Sequence, residues 1–278
     1  MSKINLPNST IAVAKKLLGY QLHSQINGVL TSGIIVETEA YLVNDPASHS
    51  FRGLTKSNAA MFGLAGTTYV YQIYGLHFCL NVVTNKQGCG EAVLIRALLP
   101  TVGFSVMQER RRQKGLTNLT NGPAKLTEAL AIDKQFNNHH LTKKPLWLTR
   151  PRRRPPASTI VEAPRVGISQ AKEQKWNFSL MPRERLYQVT TNIPLGKVAT
   201  YQLLANLVGL KSPRTVGIYL HQNPDPKNIP CHRVVNSEGK LAKNFAFGGL
   251  EEQRKRLIKE KMAVVGEQVD LNLSLWTN

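Results

Sequence analysis

The apolar residues of the chain change period several times, and each change marks an element. Residues 11–22, IAVAKKLLGYQL, recur at the 3.6-residue spacing of one helix face, with Asn8 or Ser9 placed to cap it and Gly19 to stop it. Period two takes over in strands at 21–25 and 33–39. The second strand opens on Gly33-Ile34-Ile35-Val36, a β-branched apolar run suited to burial. It then alternates Val36, Thr38 and Ala40 against Glu37, Glu39 and Tyr41, so two carboxylates and a tyrosine share one face. Residues 44–68 are loop-rich. A long β-prone run, TTYVYQIYGLHFCLNVVT, follows, and EAVLIRALL at 91–99 reads as another buried strand. Helical patterns cover Arg110 to Arg112 and residues 123–132, the latter with Pro123 near its start. The PRRRPP stretch at 151–156 has the composition of a linker, but IVEAPRVGI resumes a β-like pattern directly after it, so residues 149–158 read as a basic surface loop.

From Arg183 the texture turns helical. RERLYQVTTNI is one helix, Pro194-Leu195-Gly196 turns the chain, and ATYQLLANLVG at 199–209 is a second helix with a glycine stop. Ser212 caps and Pro213 opens a third, RTVGIYLHQN. Two short helices joined by a tight glycine turn have the form of a helix-turn-helix. LEEQRKRLIKEKM is a final amphipathic helix. The expected architecture is mixed α/β. Residues 1–182 form an antiparallel β-sheet with surrounding helices, and residues 183–278 a mostly helical, winged-helix-like domain.

Composition narrows the class. The 278 residues are 42% hydrophobic, the content of a globular chain rather than a disordered one. No apolar run is long enough to span a membrane, and the first residues lack a signal-peptide core. Cys79, Cys89 and Cys231 are scattered and odd in number, which points to a reducing compartment rather than a disulfide framework. The expected location is a bacterial-type cytoplasm, associated with the nucleoid. Net charge is +19 with a pI near 10.1. Basic residues outnumber acidic ones 22 to 9 through residue 182 (+13) and 14 to 8 after it (+6), so no single tail carries the excess. Two basic folded segments imply a polyanion partner tracked through its phosphates.

Two constellations carry chemistry. In the first, Glu37 and Glu39 read either as solvated carboxylates of a sheet edge or as buried groups that need a partner or a task. Tyr69, Tyr71, Tyr74, His77 and Phe78 crowd into ten residues, with Asn81 just after. Gly75 interrupts that run, which predicts a turn that exposes Tyr74, and exposed aromatics on a basic protein stack on bases or wedge into a duplex. Taken in order, ETEAY, ASH, MFG, YVYQIYG, the asparagine, LIRAL, NGPAKLTEALAID and PRVGI resemble the alkyladenine (3-methyladenine) DNA glycosylase family from about Ser9 to Phe178. The resemblance implies that Glu39 is the catalytic carboxylate, readying water for attack on C1′ as positive charge grows on the sugar. It implies that Arg96 positions Glu39 and the water. Tyr74 becomes the wedge that fills the hole left by a flipped base. Tyr41, His49 and Tyr71 become the walls of the base pocket, whose π-faces suit a cationic ring. Asn81 becomes a steric check on guanine's exocyclic amine. No lysine nucleophile is marked, so base release without strand cleavage is implied. The loop from Tyr41 to His49 is one residue shorter than the animal pattern, and Ser57 stands where an arginine is usual.

In the second, Ile229-Pro230-Cys231-His232-Arg233-Val234-Val235 sets a cysteine beside a histidine. A small core residue, a zinc ligand and an activated thiolate are the three readings. No CxxC spacing supports zinc; a lone cysteine is more often a small core residue, while a neighbouring base and positive surroundings lower a thiol pKa and raise its nucleophilicity. IPLGKVATYQLLA, SPRTVG, NP and IPCHRVV resemble the O6-alkylguanine-DNA alkyltransferase family from Arg185 to about Glu260. By that resemblance Cys231 accepts the alkyl group irreversibly, His232 is its base through water, and Glu260 orients His232. Asn223 steadies the turn beneath the cysteine, Arg214 fills the place of the flipped base, and Tyr201 crowds the phosphate. The alkyltransferase's own N-terminal domain is missing, the 240–247 segment is two residues longer than in the animal enzyme, and Lys261 stands where glycine is usual. The implied protein is a monomer acting on double-stranded DNA with alkylated bases, without cofactor or metal. It is expected to be a DNA-3-methyladenine glycosylase joined to a methylated-DNA–protein-cysteine methyltransferase. The alternative is a glycosylase joined to a non-enzymatic, base-flipping damage sensor.

Overall fold

The computed structural model describes residues 9–277. The chain divides between Met181 and Pro182 into two compact units.

The first unit is an antiparallel sheet built on two long strands. β1 (Gln21–Ile26) turns at Asn27-Gly28, both at positive φ, into β2 (Val29–Tyr41). β3 (Thr68–Ile73) and β4 (His77–Thr84) form a hairpin where the sequence shows one long β-prone run, because Tyr74 and Gly75 both adopt left-handed backbone there. β5 (Glu91–Val102), β6 (Leu146–Thr149), β7 (Ile160–Ala163) and β8 (Asn177–Leu180) complete the sheet. The order is β3-β4-β5-β2-β1-β6, and β8 pairs with both β2 and β7. β2 and β5 lie centrally and read as near-continuous buried runs, with Ile34, Ile35, Val93 and Ile95 all fully buried. Their pairing is irregular around residues 35–38, where Ile35 opposes Leu98, Glu37 opposes Ala97 and Thr38 opposes Ile95. Bulges of this kind re-aim side chains, and here they bracket Val36 and Arg96.

Helix α1 (Thr10–Leu17) buries Val13, Ala14 and Leu17 and lies against β2, where Thr38 Oγ1 donates to Ala14 O. Its cap is Ser9, whose hydroxyl accepts from Ala12 N at 3.4 Å; Asn8 lies outside the described residues. α2 (Phe104–Arg110) ends before Arg111 and Arg112, and α3 (Pro123–Ala129) ends three residues short of the expected 132, because Ala131 turns to φ +52°. The basic 150–156 loop is anchored by Pro155, which is buried against Gly19; a Cβ on Gly19 would meet that ring at 2.8 Å.

The second unit contains α4 (Pro182–Thr191), α5 (Tyr201–Val208), α6 (Pro213–His221) and α7 (Gly249–Lys259). α5 ends on left-handed Gly209, and α6 begins with Ser212 capping Arg214 N at 3.2 Å and Pro213 in the first turn, as the sequence predicts. α7 is not the end of the fold. A short hairpin (264–269) and a helical turn (271–274) follow it, and the backbone N–H of buried Trp276 donates to Val198 O. α7 closes with Glu260, and the next residue, Lys261, sits at φ +63°. A side chain with a Cβ is strained in that conformation, which glycine adopts freely. Lys261→Gly is therefore expected to stabilise the second unit by about 1 kcal/mol, read as a higher denaturant midpoint of Trp276 fluorescence in a chain whose other two tryptophans are replaced by phenylalanine.

Candidate functional sites

Register alone builds the first site. Tyr69 of β3 opposes Asn81 of β4, Asn81 opposes Leu94 of β5, Leu94 opposes Glu39 of β2, and Glu39 opposes Asn177 of β8. Directly opposed residues share a face, so one row crosses five strands. Tyr71 and Cys79 form the next pair on the same face.

Glu39 is 1% exposed, and both oxygens of its carboxylate accept hydrogen bonds. Oε1 accepts from Val166 N at 2.9 Å and Asn177 Nδ2 at 3.0 Å, with Arg96 Nε at 3.2 Å. Oε2 accepts from Tyr41 Oη at 2.9 Å. Burial, then the negative charge of Glu39, pushes the Tyr41 phenol far up, so it stays a donor. Arg165 lies behind this group, with Tyr41 and Trp176 rings 4.7 and 5.1 Å from its guanidinium. Its two terminal nitrogens bond the carboxylate of Asp45, Nη2 to Oδ1 at 2.9 Å, and Nη1 also donates to Ala40 O at 3.0 Å. Both ionic side chains are fully buried. This pair fixes the segment that presents Val166 N–H to Glu39.

The aromatic wall stands beside the carboxylate. His49 Nδ1 lies 2.8 Å from Tyr69 Oη, and its ring meets Tyr71 edge-on at 4.5 Å. His49 is at the rim, yet crowding by these rings lowers its pKa and favours the neutral imidazole. Burial raises Tyr69 to about 12 and pushes Tyr71 further up, so neither phenol ionises near neutrality. Asn81 is 4% exposed and donates to Tyr69 O at 3.0 Å. The MFG stretch packs behind this wall: Ala60 and Met61 join Tyr69, Val83 and Ala92 in one cluster, with Tyr41 and Tyr71 against it. Tyr74 stands at the β3–β4 tip, 91% exposed at φ +51°, next to Leu76 at 78%. Gln72 Nε2 fastens the tip to Gly75 O at 2.6 Å.

Sequence reading missed Asn177, Val166, Arg165 and Asp45. PRVGI supplies Arg165 and Val166, and Asn177 directly precedes Phe178, but no local signal ties these to a carboxylate more than 120 residues earlier; Asp45 lies in the 44–68 loop and joins through Arg165.

The second site is assembled in its own unit. Cys231 follows Pro230, opens a 3-10 turn (Cys231–Arg233) and is 4% exposed. Asn223 Nδ2 donates to Ile229 O at 2.9 Å and to Cys231 Sγ at 3.2 Å, so Asn223 does sit beneath the cysteine. Burial pushes the thiol up, and the Asn223 bond and the charge of Arg256 only partly offset this. His232 Nε2 pairs with Glu260 Oε1 at 2.8 Å, while its Nδ1 is buried without a hydrogen bond. Burial lowers His232 despite the Glu260 bond. Burial alone would raise Glu260, but its bonds to Arg233 and His232 prevail and hold it below the usual carboxylate range. Arg233 grips both Glu260 oxygens, Nε to Oε2 at 2.8 Å and Nη2 to Oε1 at 2.7 Å, and also donates to Ile193 O. Gln253, fully buried, donates to His232 O and Val234 O. Val234 and Val235 pair in parallel with Ala199 and Thr200, which brings Tyr201 at the start of α5 near the thiol. Arg214 is exposed near the start of α6.

A buried carboxylate stands beside an aromatic wall, and sequence comparison supplies the family. The methylpurine-DNA glycosylase profile matches residues 5–184, and that of the 6-O-methylguanine DNA methyltransferase DNA-binding domain matches residues 182–262. A protein of Methanoculleus marisnigri named "Putative 3-methyladenine DNA glycosylase" is 50% identical over 173 residues, 62% of this chain and 90% of that one. One of the same name from Nitrosospira multiformis is 43% identical over 177 residues, 64% and 88% of the two chains. The chain belongs to the methylpurine-DNA glycosylase family. It carries in addition an alkyltransferase-like unit, a combination that places it in DNA alkylation repair. Among solved structures, S. pombe Atl1 in complex with DNA containing O6-carboxymethylguanine is 28% identical, covering 35% of this chain and 95% of its own, at a TM-score of 0.33. Mycobacterium tuberculosis OGT in complex with DNA is 31% identical over 28% of this chain and 48% of its own, at a TM-score of 0.27.

Removing one member of a buried ion pair leaves the other uncompensated, at a cost of about 3–5 kcal/mol. Asp45→Asn is expected to destabilise the first unit by about that amount and to release the Val166 bond to Glu39. Denaturant titration of the first unit's tryptophans measures it, and a loss within error of zero would show that Arg165 finds another partner.

Proposed function

We propose that the chain repairs alkylated double-stranded DNA at two separate sites, and that the first excises alkylated purines of the 3-methyladenine type by base flipping and hydrolysis. The observation that carries this reading is the Glu39 carboxylate. Its Oε1 is occupied by three donors, while the donor on Oε2 is Tyr41, which leaves Oε2 a lone pair for a water proton. In the proposed step the water oxygen bonds to C1′, Oε2 takes its proton, and the C1′–N bond breaks with its electrons passing to the purine. Tyr41, His49 and Tyr71 enclose the flipped base, Asn81 limits its shape, Arg96 positions the carboxylate, and Tyr74 fills the vacated stack. A cationic alkylated purine binds such π-faces better than a neutral one. Glu39→Gln keeps the shape and removes the base, so single-turnover base release is expected to fall by about 10²–10⁴-fold with lesion binding retained. Unchanged excision would sink the assignment.

The second site is proposed to take the alkyl group of O6-alkylguanine onto Cys231. Sγ bonds to the alkyl carbon as the C–O6 bond breaks, giving a thioether and guanine, with His232 Nδ1 as the base for the thiol proton and Glu260 orienting the ring. Asn223 steadies the cysteine, Tyr201 and Arg214 present the flipped nucleotide. The second reading is a site that binds O6-alkylguanine without transferring its alkyl group; burial pushes the Cys231 thiol up, which works against the thiolate that transfer requires. Intact-protein mass spectrometry after incubation with an O6-methylguanine duplex separates the two. Transfer predicts a gain of one methyl group, mapped to Cys231 and absent in Cys231→Ser. Tight binding without a mass change would make this unit a sensor.

A further inference from the structure

The carboxylate two residues before Glu39 shares its partners. Arg96 Nε stands 3.2 Å from Glu37 Oε1 and 3.2 Å from Glu39 Oε1. Asn177 Nδ2 donates 2.8 Å to Glu37 Oε1 and 3.0 Å to Glu39 Oε1. One cation and one amide therefore serve two anions. The sharing is built by the bulges around Val36 and Arg96, which set the arginine opposite the gap between the two glutamates. The Glu37 side chain is 20% exposed and that of Arg96 17%. Solvent therefore does little to screen the pair.

We propose that Glu37 is a positioning residue of the base-excision site, which draws part of the Arg96 charge away from Glu39 and keeps the site net negative. The inference rests on the glycosylase reading above. With Glu37 present, the cluster of Glu37, Glu39 and Arg96 carries a formal charge of −1, and Asp45 and Arg165 cancel. With Glu37 neutral, Arg96 compensates Glu39 completely and the cluster is uncharged. The difference matters for two reasons. A carboxylate fully paired with arginine is a poorer acceptor for a water proton. A sugar gaining oxocarbenium character is stabilised by a fixed negative charge already in place, at no reorganisation cost. The surplus negative charge stands out because the unit as a whole is strongly basic. It opposes the field that draws in DNA, and it is confined to the face where a cation forms. Arg96 alone, facing Glu39 alone, would give that face no net charge.

The test uses the full chain on a duplex with one 3-methyladenine, comparing the single-turnover rate of base release with the equilibrium affinity for the same duplex. Glu37→Gln keeps the length and the Asn177 contact and removes the charge. It is expected to slow release by about tenfold, equivalent to about 1.4 kcal/mol, with affinity within twofold. Glu37→Asp, which restores the charge, is expected to recover most of the rate. Release by Glu37→Gln at the wild-type rate overturns the inference. A fall in affinity matching the fall in rate also overturns it, because that marks a merely structural role. A Glu37→Asp variant as slow as Glu37→Gln overturns it too, since charge would then not be the cause. Failure of the wild type to release base would overturn the glycosylase reading itself, and this inference with it, which keeps the two failures distinct.

Discussion

Everything in the first unit depends on keeping one carboxylate charged where there is almost no water. An ionised carboxylate without partners is too costly to bury, and Glu39 is 1% exposed. The fold meets this cost with donors from four places in the chain: Tyr41 on the same strand, Arg96 on β5, Val166 before β8 and Asn177 on β8. Each donor is fixed in turn. Arg165 and Asp45 hold the Val166 segment, ladder register holds Asn177, and bulges aim Arg96. The two long central strands exist to make this convergence rigid, since a site on strands is held more closely than one on loops.

The second unit solves a different problem. A thiol is neutral when buried and costs little, so its surroundings need not compensate a charge until one forms. Asn223 reaches Sγ, and His232 is locked through Nε2 onto Glu260, which Arg233 clamps. His232 is thereby left with Nδ1 as its one nitrogen not committed to Glu260. The clamp explains why a carboxylate and an arginine flank the histidine here. Arg233 sets the angle of the carboxylate, and the carboxylate sets the face of the imidazole.

One strained position falls where function is proposed. Tyr74 takes left-handed backbone at the tip of its hairpin, a conformation an aromatic residue rarely adopts. The tip holds that shape because Gly75 beside it is free to do so and Gln72 ties back to Gly75 O. The result is a tyrosine held away from the sheet that Tyr69 and Tyr71 line. Lys261, by contrast, occupies a left-handed position at the end of α7 with nothing in the structure that uses it.

The sequence by itself determined a good deal. Alternation indicated that Glu37, Glu39 and Tyr41 share a face, because side chains two residues apart in a strand point the same way. Ser9, Ser212 and Pro213 marked helix starts through local hydrogen bonding and fixed φ. The ordered motifs identified both families, since catalytic chemistry demands particular residues at particular spacings. Tertiary structure decided what no window of residues contains. Period two could not say whether Glu39 was solvated or buried; five strands meeting in register made it buried. Neither could it show that Arg96 stands between two glutamates, because that depends on a slip in pairing between β2 and β5. Asn177, Val166, Arg165 and Asp45 joined the site through long-range packing, and Arg233 joined the second site by folding back onto Glu260. Local patterns encode direction and caps, but compensation of a buried charge is a property of the assembled sheet.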